Sequence, residues 1–342
     1  MKFKFKYSAD TLTILPTYKC TAACNECCFE SNPNLKTRLS YSDIVNTIKQ
    51  AKIAFRSLKL VVFSGGECFT LKDDLYDAIK FANREGLKTR CVTNGYWGKS
   101  FENALKVAKK IKQSGLNEIN FSTGLDHQEY VPESSIINVA KACTKQGIYS
   151  LIMVEKDTNH SNCYKNLINN KDIKTLINKK LLQVQCNTWM PFRKNYSDRG
   201  IQTNERLLET GCRQIFSNVV ITPHGRVSAC CGLTFEHIPE LKIGSIFEEK
   251  GLENAYNSQF DDFLKIWIKV DGPYKIIKKL MGDRYIEENL GSISHVCQAC
   301  VFLHKKKEIV EKLKADYKSH LPTILLKAKS EIEANKISIK GI

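Results

Sequence analysis

The sequence predicts an α/β fold of parallel β/α units over about residues 8–200, and three observations support that expectation. Strand-like and helix-like stretches alternate about six times, at intervals of roughly 25–35 residues. The strand-like stretches are continuously apolar rather than alternating, as strands covered on both faces are. Polar motifs recur at the C-terminal ends of those strands, where barrels and open α/β sheets both place their chemistry. Periodicity alone leaves a barrel and a doubly wound sheet both open.

Residues 1–7 alternate as an amphipathic strand, and Leu12–Leu15 reads as the first core strand. A cysteine-rich loop follows. Ser40-Tyr41-Ser42-Asp43 gives a helix start, with Ile44, Ile48, Ala51 and Phe55 on one face. Leu58–Phe63 is a buried strand that runs into Ser64-Gly65-Gly66-Glu67. Helix is expected over about 72–83, then a strand over 88–92 ending in Thr93-Asn94-Gly95. The next helix covers 101–112, and the strand 118–122 leads to Thr123-Gly124-Leu125-Asp126. A helix over 133–145, a strand over 148–154, a weaker helix near 161–170 and a sixth strand over 181–186 complete the series.

Near residue 205 the pattern changes. Ser217–Thr222 and Arg226–Cys230 read as a hairpin turned by Pro223-His224-Gly225. A short strand over 241–246 precedes helices expected over 247–257, 260–270 and 274–281. Helix resumes from 301 to about 317, rich in lysine, and 321–342 reads as a solvated helix or a partly ordered tail. The expected units are therefore 1–204, 205–305 and a basic helical tail over 306–342.

A chain of 342 residues can hold one large domain with a smaller one attached, and 42% hydrophobic with 26% charged residues is an ordinary globular composition. Neither a signal-peptide core nor a run of transmembrane length is present, so a cytoplasmic location is expected. Fourteen cysteines in so long a chain, clustered at ligand-like spacings, fit metal ligation better than a disulfide framework. The formal charge of +16 favours an acidic partner: a peptide, an electron-transfer protein or a nucleic acid. Aromatic-rich nucleic-acid motifs are missing, which makes nucleic acid the weakest of the three. There is no Rossmann fingerprint or Walker A sequence.

The chemistry is concentrated in Cys20-Thr21-Ala22-Ala23-Cys24-Asn25-Glu26-Cys27. Three thiolates at this spacing can hold three irons of a cubane cluster and leave the fourth iron open. Short Cys-x2-Cys units also read as zinc motifs. The spacing resembles the signature of the radical S-adenosylmethionine (SAM) enzymes, in which the open iron chelates SAM and the reduced cluster cleaves it. Gly65-Gly66-Glu67, one β/α unit later, matches that family's glycine-rich segment. Glycines allow close backbone approach, and a carboxylate can accept from the SAM ammonium group. Phe29 resembles the aromatic that the family uses near the adenine, and Ser122 the polar residue at the SAM carboxylate or ribose. Asn94 faces the same end of the sheet, and Asp126, Glu155 and Arg193 are further pocket candidates. The resemblance implies a partial (β/α)6 TIM-like barrel, a 5′-deoxyadenosyl radical that abstracts hydrogen, and a flavodoxin- or ferredoxin-type reductant.

Cys212, Cys230, Cys297 and Cys300 supply four more thiolates. Their arrangement resembles the small C-terminal α+β auxiliary-cluster domain, of twitch or SPASM type, found in radical SAM dehydrogenases and peptide-modifying enzymes. Its fuller form has further cysteines, but position 306 is Lys306 and no cysteine follows Cys300, so one auxiliary [4Fe–4S] cluster is expected. A four-thiolate zinc site is the alternative. Neighbours in a strand point opposite ways, so either Cys230 or Cys231 can be the ligand while the other faces a cavity. A free Cys231, or its rival Cys68, can return a hydrogen atom to a substrate radical, as in the radical SAM peptide epimerases. Epimerisation of a ribosomally made peptide at an α-carbon is the expected reaction. Small-molecule dehydrogenation and peptide thioether or C–C cross-linking are the alternatives.

Overall fold

The computed structural model describes residues 7–156, 161–188, 190 and 203–340. Most of the N-terminal stretch expected to alternate as a strand, and Arg193, lie outside the described residues. Six parallel strands build the first part of the sheet: β1 (Thr11–Ile14), β2 (Leu60–Phe63), β3 (Lys88–Thr93), β4 (Glu118–Thr123), β5 (Tyr149–Glu155) and β6 (Leu182–Asn187). Between them run α1 (Tyr41–Ala54), α2 (Asp73–Arg84), α3 (Phe101–Gln113), the short α4 (Leu125–Gln128), α5 (Glu133–Lys145), α6 (Asn162–Asn169) and α7 (Lys171–Asn178).

Local sequence explains these elements. Ser40 caps α1 through a reciprocal pair: its hydroxyl accepts from Asp43 N–H at 3.1 Å, and the Asp43 carboxylate accepts from Ser40 N–H at 3.0 Å. Ile44, Ile48 and Ala51 then face the sheet and are fully buried. The weak helix expected near 161–170 is α6, and a further helix, α7, follows it directly. Asn170, in extended backbone, separates the two and accepts from Asp172 and Ile173 N–H to start α7.

The chain continues with α8 (Glu205–Leu208), β7 (Asn218–Ile221), β8 (Arg226–Ser228), β9 (Lys242–Ser245), α9 (Gly251–Ser258), α10 (Phe263–Asp271), α11 (Pro273–Met281), α12 (Asp283–Asn289), α13 (Val296–Lys305) and α14 (Lys307–Lys340). The whole forms a mixed sheet in the order β6-β5-β4-β3-β2-β1-β7-β8-β9, a partial barrel extended by the later hairpin. β7 lies parallel to β1, Thr11 opposite Asn218 and Ile14 opposite Ile221, while β8 and β9 are antiparallel additions. The hairpin expected to open a separate unit thus continues the barrel sheet. β8 leads the chain back from the C-terminal end of β7, with Val227 opposite Ile221 and Ser228 opposite Val220.

Two helical expectations change. α13 begins at Val296 rather than 301, so Cys297 and Cys300 both lie on its first turns, where His295 Nδ1 accepts from Cys297 N–H at 3.1 Å. The segment expected as a solvated helix or partly ordered tail is helical, as part of α14, but is docked instead of solvated: α14 is continuous through Pro322 and buries Ile309, Ile324, Ala328 and Ile332. Buried Asp271 holds it, accepting from Trp267 Nε1 at 3.0 Å and pairing with Lys279 at 2.5 Å and Lys327 at 3.4 Å. Among the described residues no helix is long and apolar enough to cross a membrane.

Candidate active site

The cysteine loop leaves β1 and is seated on the turn after β2. Gly66 N–H donates to Thr17 O at 2.9 Å and Glu67 N–H to Lys19 O at 2.8 Å. A Cβ on Gly66 would lie 2.3 Å from Lys19 O, and one on Gly65, whose φ is +106°, 2.6 Å from Thr17 O. The two glycines are therefore required first by the chain that leads into Cys20. Tyr130, beyond α4, braces the far side of the loop by donating to Ala23 O at 3.0 Å.

Cys20, Cys24 and Cys27 pack together, away from the main core, at the wall of a cavity of about 230 Å³. Gly65, Gly66, Asn94 and Ser122 line the same cavity from the ends of β2, β3 and β4. Phe29 also lines it, stacked on Tyr18 at 5.6 Å and edge-on to Phe235 at 5.9 Å. Tyr18 in turn hydrogen-bonds Glu236, which pairs with Lys242 at 2.6 Å, so Phe29 ties the cysteine loop to the C-terminal region. Burial, aided by the Glu67 charge, pushes the Cys20 thiol up to about 12, and burial pushes Cys24 higher still. Such thiols ligate as thiolates only where a metal's charge replaces the proton.

Glu67 behaves differently from the sequence expectation. It is fully buried, does not line the cavity, and its carboxylate is turned to the end of β3. There it accepts from Thr93 Oγ1 and from Asn94 and Phe69 N–H. Burial raises it to about 7 against those donors. Asp126 and Glu155 are buried near the loop, and His127, which sequence reasoning did not single out, lines the cavity 3.9 Å from Glu155. Its only sequence signal is its place directly after the strand-end motif of β4.

A second cavity, of about 520 Å³, is lined by Cys212, Cys230, Cys297 and Cys300. Cys212 N–H donates to Ile268 O at 3.0 Å. A Cβ on Gly232 would fall 3.0 Å from Cys297 Sγ and 3.6 Å from Cys230 Sγ, so this glycine leaves the space between two thiols open. Cys231, Gly232 and Leu233 line both cavities and form the partition between them. Cys230 lines only the second, and Cys231 also reaches the first. Burial pushes the Cys231 thiol up to about 11, with the Thr13 hydroxyl opposing the shift.

The other free thiols separate as well. Cys68 is fully buried, lies outside the first cavity and donates to Val92 O at 3.4 Å, so its sulfur is turned into the core behind β3. Cys28 lines the first cavity. Among the described residues no three Cys, His, Asp or Glu are gathered closely enough for a single metal ion. The residues present fit wider groups. Three thiols beside a glycine-walled space suit a cluster with one open iron and SAM against it, and four thiols around the second cavity suit a protein-closed cluster.

Comparison with known proteins agrees with that geometry. Residues 14–123 match the radical SAM superfamily, and residues 212–276 match the iron–sulfur cluster-binding domain called SPASM. The chain carries a radical SAM superfamily domain, a catalytic domain, followed by a SPASM-type domain. Its C-terminal unit is an auxiliary iron–sulfur domain of the SPASM/twitch type, so the chain has the capacity to bind SAM and iron–sulfur clusters. YydG of Bacillus subtilis (strain 168), named for peptide biosynthesis, is 25% identical over 142 residues, which are 40% of this chain. The match spans only 42% of that protein's length. Native anSMEcpe with bound AdoMet and Cp18Cys peptide shares the fold at a TM-score of 0.55, with 13% identity over 94% of this chain and 99% of that one. Native anSMEcpe with bound AdoMet gives a TM-score of 0.56 at 14% identity, over 93% and 99%.

Proposed function

We propose that this enzyme modifies a peptide, inverting one residue at its α-carbon, with Cys231 as the hydrogen-atom donor. The placement of neighbouring Cys230 and Cys231 carries the reading: Cys230 lines only the second cavity, while Cys231 also lines the first. In this reading Cys20, Cys24 and Cys27 hold the SAM-binding cluster, and Cys212, Cys230, Cys297 and Cys300 hold one auxiliary [4Fe–4S] cluster. When bound, SAM and its cluster supply the radical that removes the α-hydrogen.

The protein's own part follows from its residues. Gly65, Gly66, Asn94 and Ser122 form the wall against which SAM is oriented. Cys231 transfers the hydrogen atom of its S–H to the opposite face of the substrate carbon radical. The C–H bond forms as the S–H bond breaks, leaving a thiyl radical that one electron and one proton return to the thiol. A flavodoxin- or ferredoxin-type reductant supplies that electron. A peptide as substrate is supported by the name of YydG and by the peptide bound to anSMEcpe. The +16 charge suits an acidic peptide.

The test first searches the neighbouring genes for one encoding a short peptide, and that peptide is then turned over in D2O. Epimerisation adds one deuterium and otherwise leaves the mass unchanged, whereas dehydrogenation or cross-linking removes two hydrogens. Cys231→Ala is expected to form 5′-deoxyadenosine without deuterated product. Full deuterium incorporation by Cys231→Ala, with loss in Cys28→Ala, would move the donor to Cys28 and refute the assignment.

A further inference from the structure

The Gly-Gly-Glu turn acts on the first cysteine by a route that the resemblance does not assign. Both Glu67 carboxylate oxygens are occupied from within the protein. Thr93 Oγ1 lies 2.9 Å from each, Asn94 N–H donates to Oε2 at 2.9 Å, and Phe69 N–H donates to Oε1 at 3.0 Å. Glu67 is 0% exposed and contributes nothing to the cavity wall. Asn94, whose backbone Glu67 holds, extends its side chain back toward the cysteine loop. Its Oδ1 accepts from Tyr96 N–H at 3.1 Å, which fixes the amide the right way round. Its Nδ2 donates to Thr21 Oγ1 at 3.1 Å and to Cys20 Sγ at 3.6 Å.

We infer that Glu67 and Asn94 act as one positioning unit for Cys20: Glu67 fixes the backbone from which the Asn94 amide donates to the Cys20 sulfur. This rests on the reading of Cys20 as a cluster ligand. An N–H aimed at a ligating thiolate draws charge from sulfur and stabilises the reduced cluster, one of the means by which proteins set iron–sulfur potentials. Glu67 then serves the electron-transfer step through Asn94 and makes no contact with the SAM ammonium group.

The experiment is an EPR-monitored redox titration of the reconstituted full-length protein. The signal that changes on adding SAM reports the cluster on Cys20. Asn94→Ala and Glu67→Ala are each expected to move its midpoint to a more negative potential. The double variant should move no further than the larger single shift, as residues acting in series do. Asn94→Asp keeps the shape without the donor and should shift at least as far, which covers an alanine variant that fails to assemble. An unmoved midpoint in Asn94→Asp, or additive shifts in the double variant, overturns the inference. So does a Glu67→Ala protein that keeps the wild-type midpoint while losing SAM affinity, the behaviour of a carboxylate that meets the ammonium directly. A wild-type protein with no SAM-sensitive signal overturns the Cys20 reading itself, and this inference with it.

Discussion

Gly66→Ala is the substitution that most directly tests how the cysteine loop is seated. Its new Cβ would meet Lys19 O at 2.3 Å, Tyr18 O at 2.6 Å and Lys19 C at 2.7 Å, all backbone atoms that cannot rotate aside. Overpacking of this kind costs about 1–3 kcal/mol. The chain can relieve it only by lifting residues 17–19, which breaks the Gly66–Thr17 or Glu67–Lys19 hydrogen bond and adds about 1 kcal/mol for each. The sum is about 2–5 kcal/mol, or about 3–7 °C in Tm for a protein of this size. The displaced segment ends at Cys20, so the loss should fall on one cluster. Iron content is expected to drop from about eight to about four per chain, the value of a single [4Fe–4S] cluster. Gly86→Ala is the control: its φ of +79° is strained for alanine, but nothing lies within 4 Å of the new Cβ. It should cost about 1 kcal/mol and keep its iron. The assay is differential scanning fluorimetry with iron and sulfide analysis on reconstituted protein. A Gly66→Ala protein with wild-type iron and a Tm within a degree or two of Gly86→Ala would refute the steric argument.

Three further outcomes are expected. Cys212→Ala should lose the second cluster, leaving about four iron per chain and an EPR signal that still responds to SAM; loss of the SAM-sensitive signal instead would refute the division of the cysteines. Asp271→Ala should cost about 1–3 kcal/mol, because it leaves the buried Trp267 Nε1 without its acceptor while the partly exposed Lys279 and Lys327 can turn to water, and should expose α14 to limited proteolysis. Burial raises Asp271, but hydrogen bonds from Lys279 and Trp267 and the two lysine charges outweigh it and hold the group below its ordinary value. Its stabilisation is therefore complete above the ordinary carboxylate range and is lost as pH falls through the depressed folded value. Unfolding midpoints measured at falling pH should converge for wild type and Asp271→Ala only in that acid window.

Much of the fold was legible along the chain. The β/α period marks all six parallel strands, although β3, β4 and β6 interleave polar with apolar residues instead of running continuously apolar as expected. Ser40 with Asp43 marks the start of α1, because such a cap depends on residues close in sequence. The spacing of Cys20, Cys24 and Cys27 and the following Gly65-Gly66-Glu67 were enough for the family, since one loop and one turn carry them. Other features depend on partners far apart in the chain. The pairing of β7 with β1 joins residues about two hundred apart and turns the expected separate hairpin into a continuation of the barrel. Helical periodicity in residues 321–340 could not tell a solvated tail from a docked helix; Asp271 and the buried face of α14 settle that. The role of Glu67 follows from the end of β3, and the retreat of Cys68 from the cavity follows from the core around Val92. The strand expected over Arg226–Cys230 stops at Ser228, so alternation along a strand does not set the directions of Cys230 and Cys231. That Cys230 lines only the second cavity while Cys231 lines both is decided by elements far apart in the chain, which bring Cys212, Cys297 and Cys300 to one side and the three-cysteine loop to the other.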